Sequence, residues 1–243
     1  MPRYAGSVDT LVCSMRVRVG REETVLEGWT IMNPHYFWDK PVEFLHLLWP
    51  QYPIYDKQQE ICRSVVNNSE TFCPAGNMLG KDFISGMLVL WFFLTRWPCR
   101  VVTSSADHSQ LESVLWGEIR RFIQTSVIQL DIDKGGPLVI NHMHLRKHLP
   151  HDKRQVCGLS YCIGRVAAKG EGLLGHHIAN EGDGIPRTLL LLDEASGVED
   201  MAYERGTTWA NRIVAIGNCY TNPTGANFFE KGVKSGDIPM EDQ

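Results

Sequence analysis

Apolar and polar residues follow two different patterns along the chain, and together they are typical of an α/β protein. Short apolar runs rich in β-branched residues predict strands, whereas apolar residues spaced three and four apart predict helices. The predicted strands are 70–73, 100–104, 188–192 and 212–216, with a meander of 138–145 and 155–166. The predicted helices are 58–66, 81 to about 95 and 109–125. Such alternation indicates a mostly parallel sheet flanked by helices.

The first fifty residues have a different texture from the rest of the chain. Arg16, Arg18 and Arg21 are interspersed with valines, and an aromatic-rich stretch follows. We expect Asp39 to cap a short helix that has Pro41 in its first turn. We interpret 1–50 as an N-terminal arm or lid, 51–230 as the α/β core and 231–243 as a polar tail. The three arginines suit either DNA phosphates or a solvated strand face.

Composition narrows the function classes. The 243 residues carry a formal net charge of −4 and are 43% hydrophobic, so any nucleic acid has to be held by a local basic patch. The longest apolar run, 87–94, is far shorter than the roughly 20 residues of a membrane span, and we expect no membrane partner. Seven cysteines, an odd number in a chain of this size, indicate reduced thiols and a cytosolic protein.

A glycine-containing turn between a predicted strand and a predicted helix has the features of a phosphate-binding loop. It reads Ala75, Gly76, Asn77, Met78, Leu79, Gly80, Lys81, Asp82. Small residues let backbone N–H groups surround an anion, and the helix N-terminus and Lys81 add positive charge. Ala75 replaces the usual first glycine, and Asp82 replaces the hydroxyl residue that normally binds Mg²⁺. The alternative is an ordinary turn before a buried helix.

A second pattern is a leucine run that ends in two carboxylates, Asp193 and Glu194. So apolar a strand belongs in the centre of a sheet, and ligands bind at the carboxyl ends of such strands. In this interpretation Asp193 holds Mg²⁺ through water, and Glu194 orients and polarises the attacking water. The alternative is a helix that starts with two acidic residues. The order of the loop and the acidic pair favours a nucleotide site.

Two weaker patterns agree with that site. Asn218 follows the predicted strand 212–216, where a polar side chain could sense the γ-phosphate; a plain turn is the alternative. Gln58 could satisfy both hydrogen-bonding edges of adenine, and Tyr55 offers a stacking face. The alternative for these two residues is a solvated helix start.

With these pieces in order, the sequence resembles the ATPase domain of the large terminase subunit, the DNA-packaging motor of tailed bacteriophages. The resemblance lies in segments 55–61, 76–82, 172–177, 190–198 and 216–218. It implies a RecA-like P-loop ATPase of the additional-strand, catalytic-glutamate class that uses ATP and magnesium. It also implies a motor that drives double-stranded DNA into a procapsid in the host cell cytoplasm. The implied partners are the portal protein, the small terminase subunit and further copies of the chain in a ring.

The resemblance assigns roles residue by residue. Gln58 would read adenine, Lys81 would bind phosphate, Asp82 and Asp193 would lie on the metal side, Glu194 would be the catalytic glutamate and Asn218 would lie in the coupling motif. Relatives often carry an arginine in the loop, where this chain has Asn77 and Met78, and Arg-Gly where it has Leu174-Gly175. The replacements left open for the trans-acting arginine are Arg165, Lys169, Arg187 and Arg205.

Other functions are weighed against this one. A non-catalytic nucleotide-binding assembly module and a helicase-related ATPase are the alternatives. Because the chain stops soon after the coupling motif, we expect no nuclease activity and interpret the sequence as part of a longer protein or a split gene product. The soft ligands His142, His144, Cys157 and Cys162 could bind zinc, but the favoured interpretation is a hairpin with incidental histidines.

Overall fold

The computed structural model describes residues 11–12, 15–19, 22–26, 30–31, 34–76, 79–149, 152–166, 171–179, 182–218 and 227–235. The N-terminal part forms two small antiparallel pairs. Strand β1 (Leu11–Val12) pairs with β4 (Thr30–Ile31), and β2 (Met15–Val19) pairs with β3 (Glu22–Leu26). Arg16 and Arg18 lie on β2, and Arg21 lies outside the described residues.

A short helix follows a 3₁₀ turn at Pro34–Phe37. Helix α1 (Pro41–Leu48) begins with the proline, as predicted. The residue that precedes it is Lys40, and no side chain caps its N-terminus. The predicted cap by Asp39 is therefore wrong: proline already lacks one of the N–H groups that a cap would satisfy, and the chain enters the helix one residue later.

The remaining elements alternate between helix and strand, as the sequence predicts. In chain order they are α2 (Asp56–Asn67), β5 (Glu70–Pro74), α3 (Lys81–Leu94), β6 (Arg100–Ser105), α4 (His108–Gln110), a π-helical turn (Leu111–Leu115), α5 (Trp116–Thr125), β7 (Leu138–Asn141), β8 (His144–Leu149), β9 (Asp152–Val166), β10 (Thr188–Asp193), α6 (Asp200–Thr207), β11 (Arg212–Gly217) and α7 (Phe228–Ser235). The predicted class, a mostly parallel sheet flanked by helices, is confirmed.

One seven-stranded sheet organises the molecule. Its strand order is β5-β11-β10-β6-β9-β8-β7. The first five strands in this order, β5, β11, β10, β6 and β9, are parallel. Strands β8 and β7 extend the sheet as an antiparallel hairpin. Every residue of β10 is buried, which agrees with the central position predicted from its leucine run.

The hairpin corrects one sequence prediction. Residues 138–145 are two strands, because the chain turns back at His142, whose φ is 53°. His142 therefore lies in the turn and not on the strand that carries His144. Among the residues that the structure describes, no group of three His, Cys, Asp or Glu side chains is arranged to hold a metal ion.

Two apolar cores cover the two faces of the sheet. Helices α1, α2, α3 and α5 pack on one face, and α6 and α7 pack on the other. Trp49 Nε1 donates to the Phe122 carbonyl over 2.9 Å, and Trp91 Nε1 donates to the Phe37 carbonyl over 2.8 Å. Residues 37–49 are thus part of the main core. The divisions at 50 and 230 stay predictions, and α7 spans the second one.

Helix α7 packs on β5, which is the strand at one edge of the sheet. Gly232 lies so close to the Phe72 ring that a Cβ there would stand 2.5 Å from it. The Asn227 amide donates to the carbonyls of Ala195 and Ser196, over 3.2 and 3.0 Å. Helix α7 is therefore attached both to β5 and to the segment that follows β10.

Candidate nucleotide site

The carboxyl ends of four parallel strands meet at one edge of the sheet. In register, Gly217 of β11 stands beside Pro74 of β5, and Asp193 of β10 stands beside Ser105 of β6 and Ile216 of β11. Strand β11 thus separates the strand of the phosphate loop from the strand of the acidic pair. This intervening strand is the one that the additional-strand class requires.

The loop after β5 is anchored at both ends. The Ala75 N–H donates to the Gly217 carbonyl over 2.9 Å. Gly80 has a φ of 73° and directly precedes α3, a left-handed conformation that glycine adopts without strain. Gly76 and the exposed Leu79 lie between them, whereas Asn77 and Met78 fall outside the described residues. The loop therefore presents the N-terminus of α3 to the carboxyl edge.

Lys81 and Glu194 form an ion pair across this edge. The Lys81 ammonium donates to the Glu194 carboxylate, which joins the first residue of α3 to the turn after β10. Lys81 is 7% exposed and Glu194 25% exposed. Glu194 has a φ of 48°, a strained conformation that is common at functional sites. The two residues predicted to act on phosphate and water are thus brought together.

Asp193 is a buried carboxylate beside two others. Its burial, and secondarily the nearby charges of Asp82 and Glu194, raise its pKa to about 7. Burial also raises the pKa of Asp82, against the opposing effect of Lys81. Oδ1 of Asp193 is buried and has no hydrogen-bond partner within the part of the chain that is described. Asp193 and Asp82 are hard oxygen donors next to the loop, of the kind that a hydrated Mg²⁺ ion accepts.

Three buried serines on α3 and β6 have no role in the interpretation of the sequence. Ser85, Ser104 and Ser105 are fully buried. The signal in the sequence was a pair of serines at the end of a predicted strand, where carboxyl-edge ligands are expected. No chemistry was assigned to them because serine is common at strand ends and turns.

The Gln58 side chain lies beside the loop and makes hydrogen bonds within the protein. Its Oε1 accepts from the Tyr55 N–H over 3.2 Å, and its Nε2 lies 3.5 Å from the Gly80 carbonyl. Gln58 is buried, and the neighbouring Tyr55 ring is 66% exposed. The glutamine thus caps α2 and touches the phosphate loop at the same time. The roles of both residues toward adenine stay predictions, as does that of Asn218, which directly follows β11.

The four basic residues that could act as the trans-acting arginine lie in different places. Arg165 is exposed, on β9 at the carboxyl edge. Arg187 is buried at the opposite edge, where it binds Asp183 with two hydrogen bonds. Arg205 lies near the end of α6, and Lys169 is outside the described residues. Leu174, where relatives carry arginine, is 53% exposed.

Neither a protein-family model nor a curated protein matches the chain. Several solved structures match this chain in fold. The ATPase domain of the large terminase of Thermus phage P74-26 superposes with a TM-score of 0.58 and 16% identity, over 83% of this chain and 77% of that one. This chain has the fold of a large terminase ATPase domain. The resemblance inferred from the motifs is confirmed at the level of the fold, which is RecA-like.

Two longer terminases match in the same way. The large terminase of a second thermophilic bacteriophage gives a TM-score of 0.52 at 12% identity, over 74% of this chain and 42% of that chain. The HK97 bacteriophage large terminase gives 0.51 at 13% identity, over 84% and 41%. The chain thus spans less than half the length of these two proteins. Within the described residues, no helix is long and apolar enough to cross a membrane.

Proposed function

We propose that this chain is the ATP-hydrolysing motor domain of a phage terminase, which drives double-stranded DNA into a procapsid. One observation carries the proposal: Lys81 and Asp82 of the loop meet Asp193 and Glu194 of the central strand at a single sheet edge. These residues are distant in sequence, and binding and hydrolysis of a nucleotide would give them a common task.

The roles follow from the chemistry of each group. The N–H groups of the loop and the Lys81 ammonium bind the phosphates. Asp193 and Asp82 hold the Mg²⁺ ion, which when bound neutralises charge on the phosphate oxygens. Glu194 orients the attacking water and accepts its proton. Because Lys81 is bonded to Glu194, an incoming phosphate competes for the lysine and thereby releases the carboxylate for water.

The wider proposal concerns partners and place. A motor of this fold would act in a ring on the procapsid, with the portal protein and the small terminase subunit, in the host cell cytoplasm. The match to solved large terminases supports this proposal. The mild negative charge of the chain is compatible with a small DNA-contacting patch in each subunit, since a ring multiplies weak contacts.

The first test separates binding from hydrolysis. Glu194→Gln removes the base but keeps the shape of the side chain, so we expect ATP to bind while phosphate release falls by about 10²–10⁴-fold. Phosphate release with DNA present, and binding of a fluorescent ATP analogue, measure the two effects. Normal turnover by this variant would contradict the role of Glu194.

Lys81→Ala is the companion variant. It removes the cation that binds phosphate, so the affinity for the analogue itself should fall.

A second candidate function, a nucleotide-binding assembly module without catalysis, is favoured by the Lys81–Glu194 pair and by Asp82 in the hydroxyl position. Binding without phosphate release in the unmodified protein, even at high protein concentration with DNA, would support that second function.

A further inference from the structure

Three buried serine hydroxyls, those of Ser85, Ser104 and Ser105, have no hydrogen-bond partner among the residues that the structure describes. Two of them, on Ser85 and Ser105, lie on the elements that meet at the Asp193 side of the sheet. Other buried hydroxyls in the same fold are bonded: Thr103 Oγ1 donates to the Ile163 carbonyl, and Thr188 Oγ1 donates to the Trp209 carbonyl. An unsatisfied buried polar group costs about 1–3 kcal/mol, and its presence in a native fold calls for an explanation such as a water or an ion.

Ser105 stands directly beside Asp193. The two residues are register partners in the parallel pair of β6 and β10, so their side chains project from the same face of the sheet. Thr103, two residues earlier on β6, receives a hydrogen bond from Trp116 of α5 over 2.9 Å. The shared face is therefore the one that α3 and α5 cover. Ser104, equally buried, projects from the opposite face.

Ser85 approaches from the helix that covers this face. It lies four residues after Lys81 and three after Asp82, and these spacings place all three on one side of α3. A helical serine commonly bonds the carbonyl four residues earlier. The Ser85 hydroxyl has no such bond although α3 packs directly on β10 and β6. Its oxygen is therefore buried and unbonded on the side of α3 that carries Lys81 and Asp82.

The chemistry of these oxygens points to a hydrated cation. Asp193 Oδ1, on the same face of the sheet as Ser105, is likewise buried and has no hydrogen-bond partner in the described part of the chain. Two hydroxyls and a carboxylate are hard ligands of the kind that Mg²⁺ and its retained waters accept. At the loop itself, Asp82 occupies the position where the usual motif places a hydroxyl ligand. The loop thus lacks a hydroxyl side chain, whereas α3 and β6 carry the buried hydroxyls of Ser85 and Ser105, which have no described partner.

We propose that Ser85 and Ser105, together with Asp193, hold the hydrated divalent cation that accompanies the nucleotide, and so replace the hydroxyl that is absent at Asp82. Both serines are positioning residues, because they act on the waters around the cation. The inference rests on the proposed function, since it assumes that a nucleotide and its cation bind at this edge.

The experiment is an Mg²⁺ titration of the binding of a fluorescent ATP analogue. Ser105→Ala and Ser85→Ala should each raise the Mg²⁺ concentration for half-maximal binding by about tenfold, as losses in an outer coordination shell do. Binding of the analogue in excess chelator should stay unchanged. Ser104→Ala is the matched control, and Ser105→Thr, which restores the hydroxyl, should recover most of the Mg²⁺ response.

Thermal unfolding without nucleotide separates this role from a structural one. A hydroxyl that stabilises the fold would lower the melting temperature when removed, whereas removal of an unsatisfied hydroxyl should leave it unchanged or raise it. If the unmodified protein binds no analogue at any Mg²⁺ concentration, the proposed function fails. If it binds, and Ser105→Ala and Ser85→Ala titrate like Ser104→Ala, this inference is overturned. Should Ser105→Ala not fold, Ser85→Ala and Ser105→Thr decide the question.

Discussion

Lys81 and Glu194 neutralise each other at the carboxyl edge. An exposed ion pair contributes little to stability, but this one is largely enclosed, and its two groups are those assigned to phosphate and water. Its main consequence is functional. While the pair is intact, Oε1 of Glu194 is held by the Lys81 ammonium, so under the proposed function a phosphate that binds Lys81 would free this oxygen for water.

Asp193 should make cation binding at the proposed site sensitive to pH. Its pKa of about 7 means that the carboxyl is mostly protonated at pH 6 and mostly ionised at pH 8, and a cation binds the ionised form. We expect the Mg²⁺-dependent part of nucleotide binding to strengthen by about tenfold between these pH values. Titrations of the fluorescent analogue at both pH values measure it.

Asp193→Asn provides the control for this prediction. Asparagine does not titrate, so its weaker Mg²⁺ response should be the same at both pH values. Binding in excess chelator should also show no step near pH 7 that depends on residue 193. An unmodified protein whose Mg²⁺ response is flat from pH 6 to pH 8 would contradict the assignment.

At the scale of single residues, the sequence predicted which residues lie together at the carboxyl edge but not the contacts between them. The order of Lys81, Asp193 and Glu194 follows from two motifs, each tied to a predicted element end. The Lys81–Glu194 pair and the hydroxyls of Ser85 and Ser105 could not be predicted in this way. They depend on strand register and on how α3 sits over β6 and β10, and no local pattern encodes either.

Helix α1 belongs to the main core, and this can be tested by substitution. Leu45 is fully buried and lies in the same apolar cluster as the α3 and α5 side chains. Leu45→Ala should lower the free energy of unfolding by about 2–5 kcal/mol through loss of burial and the cavity left behind. Urea unfolding followed by tryptophan fluorescence and circular dichroism would measure this.

The neighbouring residue His46 is exposed and serves as the control. His46→Ala should change the free energy of unfolding by no more than about 0.5 kcal/mol. If Leu45→Ala left the main transition in place and produced a separate early one, residues 35–49 would instead be an independent arm.

At the scale of elements, periodicity was sufficient for the buried helices and the parallel strands. The boundaries of α3, β6, β10 and β11 differ from the predicted ones by a residue at most. Periodicity did not locate the turn inside the predicted strand 138–145, because the positive φ falls on His142 and not on a glycine or on the neighbouring Asn141. The cap at Asp39 failed for a similar reason, since Pro41 alone sets the helix start.

At the scale of the assembled molecule, Arg165 is the residue to test for action on a neighbouring subunit. It is exposed at the carboxyl edge, on a strand separated from β10 by β6. If it acts in trans, phosphate release per subunit should rise with protein concentration, and Arg165→Ala should abolish that rise and lower the maximal rate by about 10³-fold. Binding of the fluorescent analogue should persist.

Arg63→Ala is a suitable control, because Arg63 is also exposed but lies on α2 and bonds Gln59. It should keep the dependence on concentration. Equal rates for Arg165→Ala and the unmodified protein at every concentration would assign the trans-acting role to another residue.

Helix α7 gives the fold a mechanical property. Its Gly232 is pressed against the edge strand that leads into the phosphate loop, and Asn227, just before it, holds the carbonyls immediately behind Glu194. Tension applied to this helix therefore acts on both halves of the site at once, through packing on one side and hydrogen bonds on the other. Under the proposed function, a load that shifts α7 would change the spacing between the loop and Glu194, so the rate of hydrolysis should depend on force.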